Sequence, residues 1–118
     1  MDGDISPAEL ERRLADSPED DPLVVDIRQP RAFERERIPG SVNVPFNRLP
    51  NGVETVADTD HVVTVCPHGE ASVRAARLIA AFEGFDGRVE SLESGLTGWD
   101  GPLEGGTQRD GDTPGAPF

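Results

Sequence analysis

An α/β fold, built on a mostly parallel sheet with helices on both faces, is what this 118-residue chain predicts. Two observations carry that prediction. The runs 23–27 and 62–65 are β-branched and almost continuously apolar, the pattern of strands buried on both faces. Stretches of helical period follow them, so strands alternate with helices and the connections cross over.

The elements follow in order. Ser6-Pro7-Ala8-Glu9 is a helix start, with Ser6 as cap, Pro7 in the first turn and Glu9 completing a capping box. Leu10 and Leu14, four apart, give that helix one apolar face. The acidic, Pro-containing stretch 16–22 ends it, and 23–27 is the first strand. Residues 31–37 are charged and helical, with Phe33 as core anchor. Ile38-Pro39-Gly40 is a turn before a short strand, 42–44, which Pro45 stops. Residues 49–59 read as loop with one turn of helix. The strand 62–65 runs directly into Cys66-Pro67-His68-Gly69-Glu70-Ala71. From Ser72 the period turns helical, through Val73, Ala76, Ile79 and Ala80, and Gly84 suits the stop. Residues 88–92 form the last strand, and 95–99 a helical turn with Leu96 and Trp99 facing inward. Residues 104–118 are Gly, Pro, Asp, Thr and Gln with almost no apolar content. They read as a disordered, solvated tail, with docking to a partner as the alternative reading, which leaves 1–103 as one domain.

Composition narrows the function. There are 23 Asp and Glu against 11 Arg and no Lys, for a net charge of −12. Such a surface repels nucleic acid and anionic membranes. High acidity without Lys and with few aromatics resembles the proteins of salt-loving cells; chance Lys depletion in an acidic protein is the alternative. The halophile reading predicts that molar salt raises the melting temperature, because screening relieves like-charge repulsion. A thermal melt at low and molar salt checks it, and a flat or falling midpoint refutes it. One Cys forms no intrachain disulfide and fits a reducing cytoplasm. The acidic N-terminus shows no signal peptide, and no apolar run approaches the roughly 20 residues of a membrane span.

The chemistry concentrates at Cys66. It stands at the carboxyl end of a strand, where open α/β sheets gather their ligands. A short loop with Gly69 at its bend leads from it into a helix. Amides of such a loop converge on one point, and a thiolate there is stabilised and its pKa lowered. The same cradle has room in principle for a second sulfur, as a persulfide. A lone Cys at a strand end also has a plainer reading, that of a small buried hydrophobe.

The residues around these elements resemble a known family. Val25-Asp26-Ile27-Arg28, Phe33-Glu34 and Arg37-Ile38-Pro39-Gly40-Ser41-Val42-Asn43-Val44-Pro45 look like the rhodanese pattern D-x-R … E/F … G-H-I-P-G-A-x-N-I-P. Residues 63–72 are similar to that family's strand and C-x-x-G-x-R-S loop. Phe85, Val89, Leu92, Gly95, Leu96 and Trp99 match its closing strand and G-G-x-x-x-W turn. The likeness spans residues 6–103. It implies a single rhodanese-like three-layer sandwich and a sulfurtransferase, with Cys66 taking sulfane sulfur from a donor and passing it to a nucleophilic acceptor. No cofactor or metal is implied. The partners are a small sulfur-containing anion or persulfide donor and a sulfur acceptor, a protein among them.

Departures from the pattern bear on the donor. The loop carries Pro67, His68 and Ala71 where relatives active on thiosulfate carry Arg or Lys, and Glu70 adds a negative charge. His68 offsets this when protonated. Glu36-Arg37 replaces Gly-His, and Ser94 replaces the first Gly of the closing turn; both are expected to be tolerated. The phosphatase branch of the fold uses a C-x5-R loop. Here that position is Ser72, and Arg74 lies two further on, so phosphatase chemistry is not expected.

The site therefore comprises Cys66 as nucleophile and His68, Gly69, Glu70, Ala71 and Ser72 as the cradle, with amides from His68 to Ser72 as donors. Pro67 has no N–H and stiffens the loop. The Ser72 hydroxyl bonds within the loop or caps the helix. Arg74 adds positive potential, and Asp26 with Arg28 either ties down 31–40 as an ion pair or lines the mouth. His61 reads as a surface residue. Cys66, His61 and His68 fall short of the four spaced ligands a structural zinc wants. Two rivals stand beside the enzyme: a persulfide carrier serving a partner enzyme with little thiosulfate turnover, and a silent domain whose thiol titrates like an ordinary cysteine.

Overall fold

The computed structural model describes residues 2–16 and 22–105. Five strands form one sheet: β1 (Asp4–Ile5), β2 (Leu23–Asp26), β3 (Val42–Asn43), β4 (His61–Val65) and β5 (Arg88–Leu92). Their order is β1-β5-β4-β2-β3 and every pairing is parallel. Four helices connect them: α1 (Pro7–Asp16), α2 (Pro30–Arg35), α3 (Leu49–Gly52) and α4 (Ala71–Ala81). The parallel α/β prediction holds. No helix among the described residues is long and apolar enough to cross a membrane.

Alternation along the strands divides the core into two layers. Val25, Val62 and Val89 face α3 and α4, with Ala75, Ala76 and Ile79 packed over them. Val24, Val63, Val65 and Leu92 face the other way, covered by Leu10 of α1, by Ile38 and by Trp99. Leu10 is fully buried and contributes about 2 kcal/mol of apolar burial. Cys66 belongs to the α4 layer.

Several local expectations need correction. β1 was not expected. It is two residues long and is held at the edge by the Asp2 carboxylate, which accepts the Val89 N–H at 2.8 Å. Ser6 does cap α1, accepting the Glu9 N–H at 3.1 Å. Glu9 does not close the box, because Arg12 and Arg13 claim its carboxylate. α2 stops at Arg35 and buries nothing; Phe33 is half-buried beneath the Arg37 guanidinium, 5.1 Å from its ring centroid. Residues 46–55 are continuously helical, two turns of 3-10 helix flanking α3, and Leu49, Val53 and Val56 are core. α4 ends at Ala81, with Phe82 extended, before Gly84 is reached. Most of the segment read as a tail, residues 106–118, lies outside the described residues. Its first residue, Glu104, is paired: it exchanges two backbone hydrogen bonds of 2.8 Å with Arg37, and its carboxylate lies 3.3 Å from the Arg37 Nε. Pairing thus extends past residue 103.

Candidate active site

β4 delivers Cys66 at its carboxyl end, and α4 begins five residues later. The side chain is 2% exposed. Between the two elements the chain curls back around the sulfur. The Gly69 N–H reaches Sγ at 3.0 Å and the Ser72 N–H at 3.3 Å, while the Ser72 Oγ also lies 3.3 Å away. Burial alone pushes the thiol pKa up. The Ser72 hydroxyl, then the amides of Ser72, Gly69 and His68, favour the charged form and outweigh it, so the thiol lies below its ordinary value. The first turn of α4 adds the positive end of its dipole. Of the expected amide donors, those of Glu70 and Ala71 make no bond to Sγ.

Gly69 makes the curl with φ +89°, and a Cβ there would lie 3.0 Å from the Ser94 N. The closing turn holds the loop from beneath. Leu96 N–H donates to the Cys66 carbonyl at 2.8 Å, and Thr97 N–H to that of Pro67 at 3.0 Å. With those carbonyls engaged below, the amides face the sulfur.

Ser94, in the place of a family glycine, sits at φ +65°, and no other non-glycine residue has positive φ among those described. That conformation costs a side chain roughly 1–2 kcal/mol. Glycine would relieve it but give back roughly 0.5–1 kcal/mol of unfolded-state entropy. Ser94→Gly is thus expected to stabilise by ~0.5 kcal/mol and to raise the melting temperature by about 2–4 °C, read by calorimetry.

The remaining expected residues divide by place. Asp26, 1% exposed, forms a clamp with Arg28: the guanidinium grips both carboxylate oxygens at 2.7–3.1 Å, and the Arg28 N–H adds a bond of 3.0 Å. Arg28 also donates to the Glu36 carbonyl, and the Asn43 amide bonds both the Asp26 and Arg28 carbonyls. The clamp ties the ends of α2 and β3 to β2. Pro67, His68 and Glu70 are exposed on the loop and Ala71 is half-buried. Arg74 lies over the Phe46 ring, 5.4 Å from its centroid. His61 is half-buried, its Nε2 2.6 Å from Glu90 Oε1, which corrects its reading as a surface residue. It sits at the opposite end of β4 from Cys66, and no cluster of three metal-ligating side chains exists among the described residues.

Two residues that sequence reasoning missed bond Ser72 from the sheet. The Thr64 hydroxyl donates to the Ser72 carbonyl at 2.7 Å. The Ser91 hydroxyl lies 2.7 Å from that of Ser72. The alternation of β5 was the available signal: Ser91 shares a face with Val89, under α4.

Comparison with known proteins agrees with this geometry. The rhodanese-like domain family model matches residues 6–101. The chain belongs to the rhodanese-like domain family. A sulfurtransferase of Allochromatium vinosum is 31% identical over 99 residues, covering 84% of this chain and 89% of that protein. The thiosulfate sulfurtransferase GlpE of Stutzerimonas stutzeri is 36% identical over 78 residues, 65% of this chain and 69% of that one. Among solved structures, a rhodanese-like domain protein from Staphylococcus aureus superposes with a TM-score of 0.75 at 24% identity, covering 89% of this chain and 98% of its own. The three-layer rhodanese-like fold is therefore shown.

Proposed function

We propose that this protein is a sulfurtransferase that carries sulfane sulfur on Cys66. The observation behind the reading is the Cys66 sulfur held by the Gly69 and Ser72 amides and the Ser72 hydroxyl. The thiolate attacks the outer sulfur of a donor such as thiosulfate. The new bond joins the Cys66 sulfur to that atom, the donor's S–S bond breaks, and sulfite leaves with the electron pair. The enzyme is then a persulfide, Cys66–S–S⁻. A nucleophile such as cyanide attacks the outer sulfur, leaves as thiocyanate, and returns the electron pair to the Cys66 thiolate. The Glu70 and Ala71 amides, which make no bond to Sγ, are the donors available to the second sulfur. No cofactor enters. A reducing cytoplasm, which keeps the thiol available, suits this chemistry.

A second reading, a persulfide carrier that hands its sulfur to a partner enzyme, is favoured by one feature. The loop 66–72 has no Arg or Lys, and its Glu70 is exposed. A dianionic donor meets less attraction there. Thiosulfate:cyanide turnover at high salt, with intact mass after thiosulfate exposure, separates the readings. Turnover supports the enzyme. A single-sulfur adduct without turnover supports the carrier, and neither result leaves the fold alone.

The lowered thiol pKa fixes the pH dependence. The thiolate is the reacting form, so reactivity is level above the folded-state pKa and falls about tenfold per pH unit below it. Because that pKa lies below the ordinary value, the acid limb lies on the acid side of a free cysteine's. The rate of Cys66 alkylation against pH measures it; a limb coincident with free cysteine supports the silent domain.

A further inference from the structure

We infer that Ser91 is a positioning residue for the Cys66 thiolate: its hydroxyl donates to the Ser72 oxygen and so commits the Ser72 proton to the sulfur. The inference rests on the proposed role of Cys66 as a reactive thiolate. The geometry is a chain of three atoms, Cys66 Sγ to Ser72 Oγ at 3.3 Å and Ser72 Oγ to Ser91 Oγ at 2.7 Å. Ser72 and Ser91 are both 0% exposed, so the chain is closed to bulk water. A thiolate only accepts hydrogen bonds, so Ser72 must be the donor to it. The Ser72 oxygen is then the acceptor for Ser91. With a protonated thiol the chain can run the other way, S–H to Ser72 and Ser72 to Ser91. Ser91 is thus an acceptor when sulfur is neutral and a donor when it is charged; the chain that ends on the charged sulfur is the stronger of the two, so Ser91 favours the thiolate.

The neighbours hold the chain in register. Thr64 Oγ1 donates to the Ser72 carbonyl, which fixes the first turn of α4 over the strands. The Ser91 backbone is paired on both sides, opposite Thr64 of β4 and Asp4 of β1. Linked hydrogen bonds polarise one another in a dry interior, so a donor behind Ser72 strengthens the bond Ser72 gives to sulfur. The ionisable groups carried by the surrounding elements are His68 and Glu70 on the loop, Arg74 and Arg77 on α4, the Asp26–Arg28 clamp at the end of β2, His61 at the far end of β4, Arg88 and Glu90 on β5 with Glu93 after it, and Asp4 on β1. None of their side chains bonds Ser72 or Ser91, and none is altered by substituting Ser91.

The test is the pH profile of Cys66 alkylation by iodoacetamide in the unmodified chain, Ser91→Ala, Ser72→Ala and the double variant. Ser91→Ala is expected to move the acid limb to higher pH and to slow alkylation at neutral pH roughly two- to fivefold, with rates converging in alkali. Ser72→Ala is expected to slow it about tenfold, and Ser91→Ala to add nothing in that background. An unmoved limb in Ser91→Ala, or an equal further shift in the Ser72→Ala background, overturns the inference. A measurement on the unmodified chain covers loss of fold in the variants. The Ser91 13Cβ resonance should titrate with the midpoint of Cys66, and a Ser91 resonance indifferent to that titration also overturns it. Alkylation reads the thiolate without sulfur transfer, so failed thiosulfate turnover with these shifts intact would sink the proposed function alone.

Discussion

Cys66→Ser is expected to abolish sulfur transfer, lowering thiosulfate:cyanide turnover on the order of 10³-fold or more. The chain has one Cys, so no other thiol can take over the sulfur. A serine hydroxyl is not ionised at neutral pH, and neither the His68 nor the Glu70 side chain bonds Sγ to activate it; the groups that do are the Gly69 and Ser72 amides and the Ser72 hydroxyl. Intact mass gives the second readout. The unmodified chain should gain one sulfur atom on exposure to thiosulfate, reversed by cyanide, and Cys66→Ser should gain none. The substitution should leave the melting temperature close to unchanged, since it swaps one small buried atom for another that the same donors can reach. Residual turnover in a folded Cys66→Ser protein would remove Cys66 from the mechanism.

Much of the fold, and the strand end that carries the candidate site, was legible because burial wrote itself into the residue pattern. The runs 23–27 and 62–65 are covered on both faces, and a doubly covered strand is almost continuously apolar, Asp26 and Thr64 being the polar exceptions. The elements that were missed had weaker signals of definite kinds. Leu49, Val53 and Val56 are spaced 0, 4 and 7, a helical face. Pro50, Asn51 and Gly52 between them are poor helix formers, and packing against the sheet outweighed propensity. β1 offers a single buried side chain, Ile5, and its pairing depends on β5, more than eighty residues away. Cys66 and Gly69 stood out because the one thiol ends a strand and a glycine able to take positive φ bends the short loop from it into a helix. Ser91 did not, because a serine in a strand says nothing about which hydroxyl it will meet across the sheet.

Gly95→Ala is expected to damage the site from below, through a residue that touches no substrate. Gly95 has φ +62°, and a Cβ there would lie 2.3 Å from the Cys66 carbonyl oxygen, 2.6 Å from the Gly69 N and 2.7 Å from the His68 N. All three are backbone atoms of the loop, so no rotamer change relieves the clash. Either the loop rises or the closing turn drops. Both stretch the bonds from Leu96 and Thr97 to the loop carbonyls, and a raised loop carries the Gly69 N–H away from sulfur. The left-handed backbone alone costs an alanine roughly 1–2 kcal/mol. With displacement of packed backbone the total should reach about 2–4 kcal/mol. Gly40→Ala supplies the control: its φ is +83° with nothing within 4 Å of the added Cβ, so it meets the conformational cost without the collision. Gly40→Ala should therefore lose about 1 kcal/mol and keep the native alkylation profile. Gly95→Ala should lose more and slow Cys66 alkylation at neutral pH about tenfold, equivalent to one unit of thiol pKa. Chemical denaturation and the alkylation profile read the two effects separately. Equal stability losses would show that the loop yields without cost. A Gly95→Ala protein with native thiol reactivity would show that the amides reach Cys66 without the closing turn to hold them.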